Sequence, residues 1–159
     1  MTNDKYIHEF IGDVARQYFE ETNIKNSYKI NLNDEPFLKI FNNLNIKTAL
    51  LIQLISCGQL KMFRLIKKYL TLDVLMNVKV KNLSQNDKIL INLYKLLISK
   101  KDYWILYIES DNIASTVGKK MYEIIISKAK THGKIEIYTK YKVLNDMKDD
   151  DFEYLCVFL

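Results

Sequence analysis

Turn-forming residues are scarce in this chain, whose 159 residues include only four glycines and one proline. Sandwiches and barrels made of many short strands need turn residues at frequent intervals, so the scarcity favours long helices. The predicted fold class is mainly α: a helical bundle of about five helices with a small antiparallel β element in the C-terminal third, hence α+β.

The composition predicts one folded domain. Apolar residues make up 48% of the chain and charged residues 27%, which are ordinary values for a protein with a hydrophobic core. The length suits a single domain. We therefore assign residues 1–159 to one domain, with a helical part over 1–101 and a strand–helix–strand–strand part over 102–159.

An apolar stripe at helical spacing predicts a first helix over residues 4–21. The stripe consists of Ile7, Phe10, Ile11, Val14 and Tyr18. Residues 46–57 are apolar almost all round and predict a central buried helix that Gly58 ends. An amphipathic helix over 59–70 follows, and Ser84 with Asp87 resembles a capping box that opens a further helix.

The last third has a different pattern. The apolar run "YWILYIE" (103–109) predicts a buried strand, and residues 112–131 predict a helix. Strict alternation in "KIEIYTKYKVL" (134–144) predicts a strand, with "FEYLCVFL" (152–159) as the last strand. Before the central helix, the segment "NIKNSYKINLN" (23–33) is interpreted as a polar connector.

A basic segment offers one candidate binding surface. Residues 36–72 contain six basic residues and no acidic residue, and helix 59–70 presents Lys61, Arg64, Lys67 and Lys68. Together with the glycine turn, segment 46–70 resembles a helix-turn-helix, in which the second helix contacts DNA. The alternative is that the basic face is only the solvated side of a packed helix.

The strand over 134–142 offers a second candidate surface. Tyr138 is predicted on its polar face together with Lys134, Lys140 and Lys142. An aromatic ring among lysines suits stacking on single-stranded nucleic acid, and it equally suits a protein interface. Phe158 in the last strand, which is apolar on both faces, adds to the predicted partner-binding surface.

No catalytic, cofactor-binding or metal-binding residue is predicted. His8 and His132 have no other ligand at metal-binding spacing. Cys57 and Cys156 are expected to be free, buried thiols. The acidic run over 146–153 lacks the ligand order of a calcium loop and is interpreted as a solvated loop.

The segment "ASTVGKKMYEIIISKAKTHGKIEIYT" (114–139) follows a predicted strand and contains a glycine-bearing turn, a helix and a strand. It resembles the acyl-CoA-binding core of GNAT acetyltransferases, which implies a pyrophosphate held at a helix N-terminus. With Gly118 as the first motif glycine, Ser115 replaces the family's Arg/Gln and Lys120 its second glycine. A degenerate transferase is therefore the third functional hypothesis.

The predicted function is a non-enzymatic accessory or antagonist factor that docks on another protein or on itself, including as a homodimer. A lysine- and asparagine-rich composition indicates an AT-rich genome, that of a large DNA virus, a phage or a low-GC bacterium. We expect a factor of a virus, phage or mobile element with a role in host modulation. The alternative is a nucleic-acid-binding regulator that uses 46–70 and 134–142. With no apolar run long enough to cross a membrane, we expect a cytoplasmic protein, in the host cytoplasm if viral.

Overall fold

The structure is a computed structural model that describes residues 4–109, 113–131, 133–144 and 151–159. Within these residues, the strands are β1 (Tyr6–Ile11), β2 (Ser27–Asn31), β3 (Tyr103–Ile108), β4 (Lys134–Thr139) and β5 (Glu153–Phe158). The helices are α1 (Ala15–Glu21), α2 (Ile46–Ser56), α3 (Phe63–Tyr69), α4 (Gln85–Ile98) and α5 (Ser115–Thr131). No helix in the described residues is long and apolar enough to cross a membrane.

The five strands form one sheet in the order β2-β3-β4-β1-β5, and every neighbouring pair is parallel. The fold is therefore α/β, and the predicted helical bundle with an antiparallel β element is wrong. Strands joined through a helix, such as β3 and β4 through α5, need a crossover connection and run parallel. The sequence pattern located β3, β4 and β5 but did not reveal their directions.

The first predicted helix, over residues 4–21, is replaced by β1, a short turn and α1. In "YIHEFI" the apolar residues fit the spacing of a helix, and the period of two is hidden because the charged Glu9 stands between Ile7 and Ile11 on the buried face. The structure selects the strand: Ile7, Glu9 and Ile11 alternate with less buried residues along β1.

The segment interpreted as a polar connector contains β2. Its ladder partner is β3 alone, so β2 is an edge strand of the sheet. Ile30 is its one buried residue. A strand with a single buried side chain has too little hydrophobic pattern to be recognised in a polar sequence.

The chain divides into two compact units. The first contains residues 1–33 and 99–159 and holds the sheet. On one face α1 packs through Ala15 and Phe19 against Tyr107 and Tyr138. Since side chains alternate along a strand, Trp104 lies on the opposite face. There the ammonium of Lys128 on α5 lies 5.0 Å from the Trp104 ring centroid, so helices cover both faces of the sheet.

The second unit contains residues 34–98, with α2, α3, α4 and short 3-10 turns. The predicted helix–glycine–helix pattern is confirmed, because α2 is followed by Gly58 in a left-handed conformation and then by α3. The predicted capping box is also confirmed: the Ser84 N–H donates to Asp87, and the Asp87 N–H donates to the Ser84 hydroxyl.

Candidate functional site

The carboxyl ends of all five strands lie at one edge of the sheet because the strands are parallel. The connection from β1 leads along the sheet towards the edge that holds β2. The connection from β4 leads in the opposite direction, past the position of β1, to β5 at the other edge. Connections therefore leave the neighbouring strands β1 and β4 in opposite directions. In open parallel sheets, ligands bind in the crevice that forms at such a switch point.

The turn that follows β1 is narrow. The Gly12 N–H donates to the Thr139 carbonyl at 3.0 Å, and its carbonyl accepts from the Ala15 N–H at 3.1 Å. A Cβ atom at position 12 would lie 2.8 Å from the backbone oxygen of Leu159. Only glycine therefore allows this close approach of the turn to the end of β5.

A buried carboxylate fixes the chain beyond β4. Glu9 in β1 is fully buried, and its Oε1 accepts the N–H groups of Val143 at 2.5 Å and Leu144 at 3.3 Å. Its Oε2 accepts the Tyr154 hydroxyl at 2.7 Å. Burial and this hydrogen bond raise the pKa of Tyr154 above its ordinary value. Glu9 thus connects β1 with both the segment after β4 and β5.

A small pocket, here called the α5 pocket, lies at this edge. Its volume is about 190 Å³. It is lined by Ile113, Ala114, Ser115, Gly118, Met121, Lys142 and Val143. The first two turns of α5 form one wall, and the segment positioned by Glu9 supplies the rest.

The chemistry of the α5 pocket favours an anion. The first N–H groups of a helix lack intrahelical partners and carry a partial positive charge. Ser115 at the start of α5 adds a hydroxyl, and Lys142 adds a cation. The volume of the α5 pocket, about 190 Å³, is smaller than the roughly 300–1,000 Å³ of a typical ligand pocket. The pocket therefore has room for phosphate groups rather than for a complete ligand.

On the sheet face covered by α1, a second carboxylate binds tyrosine hydroxyls. The Glu136 carboxylate accepts hydrogen bonds from the hydroxyl groups of Tyr103 at 2.6 Å and Tyr138 at 2.9 Å. The Tyr103 hydroxyl also forms a hydrogen bond with the Tyr6 hydroxyl at 2.5 Å. Burial is the main cause that raises the pKa of Tyr138 to about 12, with Glu136 adding to it. Burial also raises the pKa of Tyr103.

The residues predicted to bind a partner do not form one surface. Tyr138 is only 6% exposed and packs beneath α1, because β4 is an interior strand. The Nζ of Lys140 lies 3.7 Å from Oδ1 of Asp13, and Lys142 lines the α5 pocket. Phe158 is 75% exposed at the end of β5. A role of these residues in partner binding stays a prediction.

The residues predicted to bind nucleic acid lie in two separate units. Lys61, Arg64 and Lys68 are exposed around α3, where Lys67 pairs with Asp73 at 3.1 Å. Lys134 begins β4 and so lies at the opposite, amino edge of the sheet. Nucleic-acid contact by these residues also stays a prediction.

Other predicted chemistry is partly corrected. Cys57 and Cys156 are free thiols as predicted, but Cys57 is exposed and Cys156 half-buried. Within the described ranges, no group of three or more His, Cys, Asp or Glu side chains could hold a metal ion. His132 and most of the acidic run lie outside the described residues. Gly118 lies inside α5, so the glycine turn expected from the GNAT resemblance does not precede the helix.

Sequence reasoning missed Glu9 and Gly12. A carboxylate flanked by apolar residues at a period of two, as in "YIHEFI", is a signal for a buried acid in a strand. A glycine directly after such a strand is a signal for a tight strand-to-helix turn. Both signals were hidden once the segment was read as helix.

Comparison with known proteins gives a likeness of fold. No family model and no curated protein sequence matches the chain. Among solved structures, it is similar to the ATP-binding cassette MJ0796, solved as a dimer in a post-hydrolysis state bound to ADP and Pi. The TM-score is 0.56 at 12% identity, over 90% of this chain and 77% of that protein.

This likeness overturns the function predicted from sequence. The contradicted prediction is a docking factor of a virus, phage or mobile element, with a nucleic-acid-binding regulator as the alternative. Neither the likeness nor the sheet supports a viral source or host modulation. What the chain shares with the ATP-binding cassette is a parallel α/β fold.

Proposed function

We propose that the first unit binds a nucleotide at the carboxyl edge of its sheet, with the phosphate groups in the α5 pocket. The observation that carries the proposal is the all-parallel order β2-β3-β4-β1-β5, in a fold similar to that of a protein bound to ADP and Pi. Ligands of open parallel sheets bind at the carboxyl edge. Fold alone does not decide function, so the local chemistry of the pocket is the second support.

The turn after β1 does not fit a phosphate loop. Phosphate loops follow a strand with the sequence G-x-x-x-x-G-K-[ST], whose backbone N–H groups surround the phosphates. Here the turn is Gly12–Asp13–Val14, and α1 begins directly at Ala15. Leu159 occupies the space beside Gly12. For this reason the proposal places the phosphates at α5 and includes no hydrolysis step.

The α5 pocket also has suitable electrostatics. Ser115 and Gly118 in the first turn of α5 and Lys142 in the segment after β4 line one opening. Anions bind readily at helix N-termini. Because the pocket admits little more than the phosphates, the sugar and base of the nucleotide would lie outside it, towards the surface.

The proposal is tested by filling the pocket. At position 118 a Cβ atom would meet only one side-chain atom, Ile113 Cγ2 at 3.7 Å, so Gly118→Leu fits the helix backbone and places a bulky side chain in the opening. Leucine also has the higher helix propensity, so unfolding stability should not fall. Calorimetric titration with ADP and ATP should show binding to the wild type and at least about tenfold weaker binding to Gly118→Leu, a loss of about 1.4 kcal/mol.

The control is Thr116→Leu, on the same turn of α5 but outside the pocket lining and exposed. It should bind ADP as the wild type does. Absence of nucleotide binding by the folded wild-type protein would refute the function. Equal binding by wild type and Gly118→Leu would refute its location.

Self-association forms a second part of the proposal. The similar ATP-binding cassette is dimeric, and a homodimer is also predicted from the sequence. Sedimentation of the protein with and without ADP should reveal a dimer, and Phe158→Ser tests the predicted contact through the exposed end of β5. Exposed Leu65 in the second unit provides a matched control, Leu65→Ser. A monomer at all concentrations would contradict this part.

A further inference from the structure

The amino edge of the sheet, opposite the α5 pocket, carries a strongly basic cleft. The volume of this lysine cleft is about 620 Å³. Its charged lining residues are Lys5, Lys25, Lys100, Lys101, Lys134, Asp4 and Asp102, which gives a net charge of +3. The lysines come from segments far apart in sequence, and each lies just before or at the start of a strand.

The backbone of the lysine cleft is held by the sheet itself. The Lys134 N–H donates to the Asp102 carbonyl at 3.0 Å, and the Tyr6 N–H donates to the Gly133 carbonyl at 3.1 Å. A Cβ at Gly133 would lie 2.7 Å from the Lys128 carbonyl oxygen, so glycine allows the backbone just before β4 to lie close to the last turn of α5. The backbone at Lys134 and beside Lys5 is thus positioned by the sheet before any ligand arrives, which lowers the entropic cost of binding.

Most of this positive charge is not neutralised by the protein. Asp102 lies 3.9 Å from Lys128 of α5, so its charge is shared with a residue outside the cleft. Lys5 donates to the Lys130 carbonyl. In the described part of the chain, Lys25, Lys100, Lys101 and Lys134 form no ion pair with a carboxylate. Clustered like charges repel one another, and a bound anion would remove this repulsion.

We propose that the lysine cleft binds a small anion with two or more phosphate groups. Its volume lies in the range of about 300–1,000 Å³ typical of small-molecule sites. Ammonium groups bind phosphate oxygens as point charges, and several of them match a ligand with several phosphates. The one aromatic lining residue, Tyr103, is half-buried with its hydroxyl bound to Glu136, so the cleft lacks the exposed rings on which single-stranded nucleic acids stack.

The test is calorimetric titration with inorganic tripolyphosphate at low salt, in the wild-type protein and in the Gly118→Leu background. The second background removes phosphate binding at the α5 pocket, so the two proposals fail separately. We expect binding in both backgrounds, weakening as salt is raised. The change Lys100→Gln with Lys134→Gln should weaken it at least about tenfold.

The matched control is Lys61→Gln with Lys68→Gln, which removes the same charge from exposed positions of the second unit. It should change the affinity by less than about twofold. Should the first double variant lose its fold, Lys25→Gln with Lys101→Gln, both at exposed positions, replaces it. Equal weakening by cleft and control variants, or no binding by the wild type, would overturn the proposal. A single-stranded oligonucleotide that binds the cleft and is not displaced by tripolyphosphate would also overturn it.

Discussion

Replacing Glu9 by glutamine should destabilise the sheet unit by about 2 kcal/mol. Glutamine keeps the shape of the side chain and can still accept at one oxygen, but it loses the charge and presents an amide N–H towards Tyr154. A hydrogen bond to a charged group contributes about 1.5–3 kcal/mol, against about 1 kcal/mol for a neutral one. Two of the three bonds of Glu9 are short, those from Val143 and Tyr154, so each should lose about 1 kcal/mol.

Glu9→Ala should cost more, about 4–6 kcal/mol. It leaves the N–H group of buried Leu144 and that of half-buried Val143 without their partner. Each unsatisfied buried donor costs about 1–3 kcal/mol, and the cavity adds to this. Tyr154→Phe removes a half-buried hydroxyl that is hydrogen-bonded to Glu9 and interacts more weakly with the Cys156 thiol, and it should cost about 1 kcal/mol. We therefore expect Glu9→Ala to destabilise the protein most, Glu9→Gln less and Tyr154→Phe least.

Urea unfolding followed by tryptophan fluorescence measures these losses. Trp104, the single tryptophan of the sequence, is 3% exposed in β3 and so reports on the unit that contains Glu9. The control is Glu153→Gln, an exposed carboxylate of β5, which should change the unfolding free energy by less than about 0.5 kcal/mol. If Glu9→Gln is also within about 0.5 kcal/mol of the wild type, the hydrogen bonds of Glu9 do not hold the segment after β4.

Three further predictions follow from burial, close contact and titration. Leu54 is fully buried in α2, so Leu54→Ala should lower the unfolding free energy in urea by about 2–5 kcal/mol, whereas exposed Leu65→Ala should lower it by less than about 0.5 kcal/mol; similar losses would contradict the packing of α2. Gly12→Ala forces its Cβ against Leu159 and should lower the melting temperature by several degrees, which calorimetry would detect. Because the folded-state pKa of Tyr138 is raised to about 12 from 10.0, its stabilising contribution is complete below pH 10 and is lost as pH rises from 10 to 12. The wild type should therefore lose stability over this window more steeply than Tyr138→Phe, and equal slopes in urea unfolding would contradict the burial of its hydroxyl.

Local sequence pattern determined much of the secondary structure. The alternation in "KIEIYT" placed β4, the apolar run "YWILYI" placed β3, and apolar spacing placed α2 and α5. Within the elements predicted in this way, Leu54, Ile66, Leu93, Trp104 and Ile125 are buried, while Leu51 and Phe63 are half-buried. The type of an element and the face that it buries depend on residues close together in the sequence. The apolar spacing within that element therefore predicts both.

The short strands β1, inside the sheet, and β2, at its edge, were harder to recognise from the sequence. The apolar residues of β1 have helical spacing because Glu9 interrupts the period of two, and β2 buries only Ile30. Their assignment depends on backbone partners in other strands, and those partners are distant in sequence. The direction of each strand is likewise set by the crossover that precedes it, not by its own residues.

Tertiary structure alone decided which residues come together in the two candidate sites. Glu9 accepts N–H groups more than 130 residues away along the chain, and the lysine cleft joins residues from the starts of four strands. Lysine is the commonest polar residue in this sequence, so its count could not distinguish a solvated face from a cleft. The sequence by itself determined the helices and strands that have a clear apolar period, among them α2, α5, β3 and β4. Only the parallel alignment of the strands, which brings all their amino ends to one edge and all their carboxyl ends to the other, decided which charged groups meet.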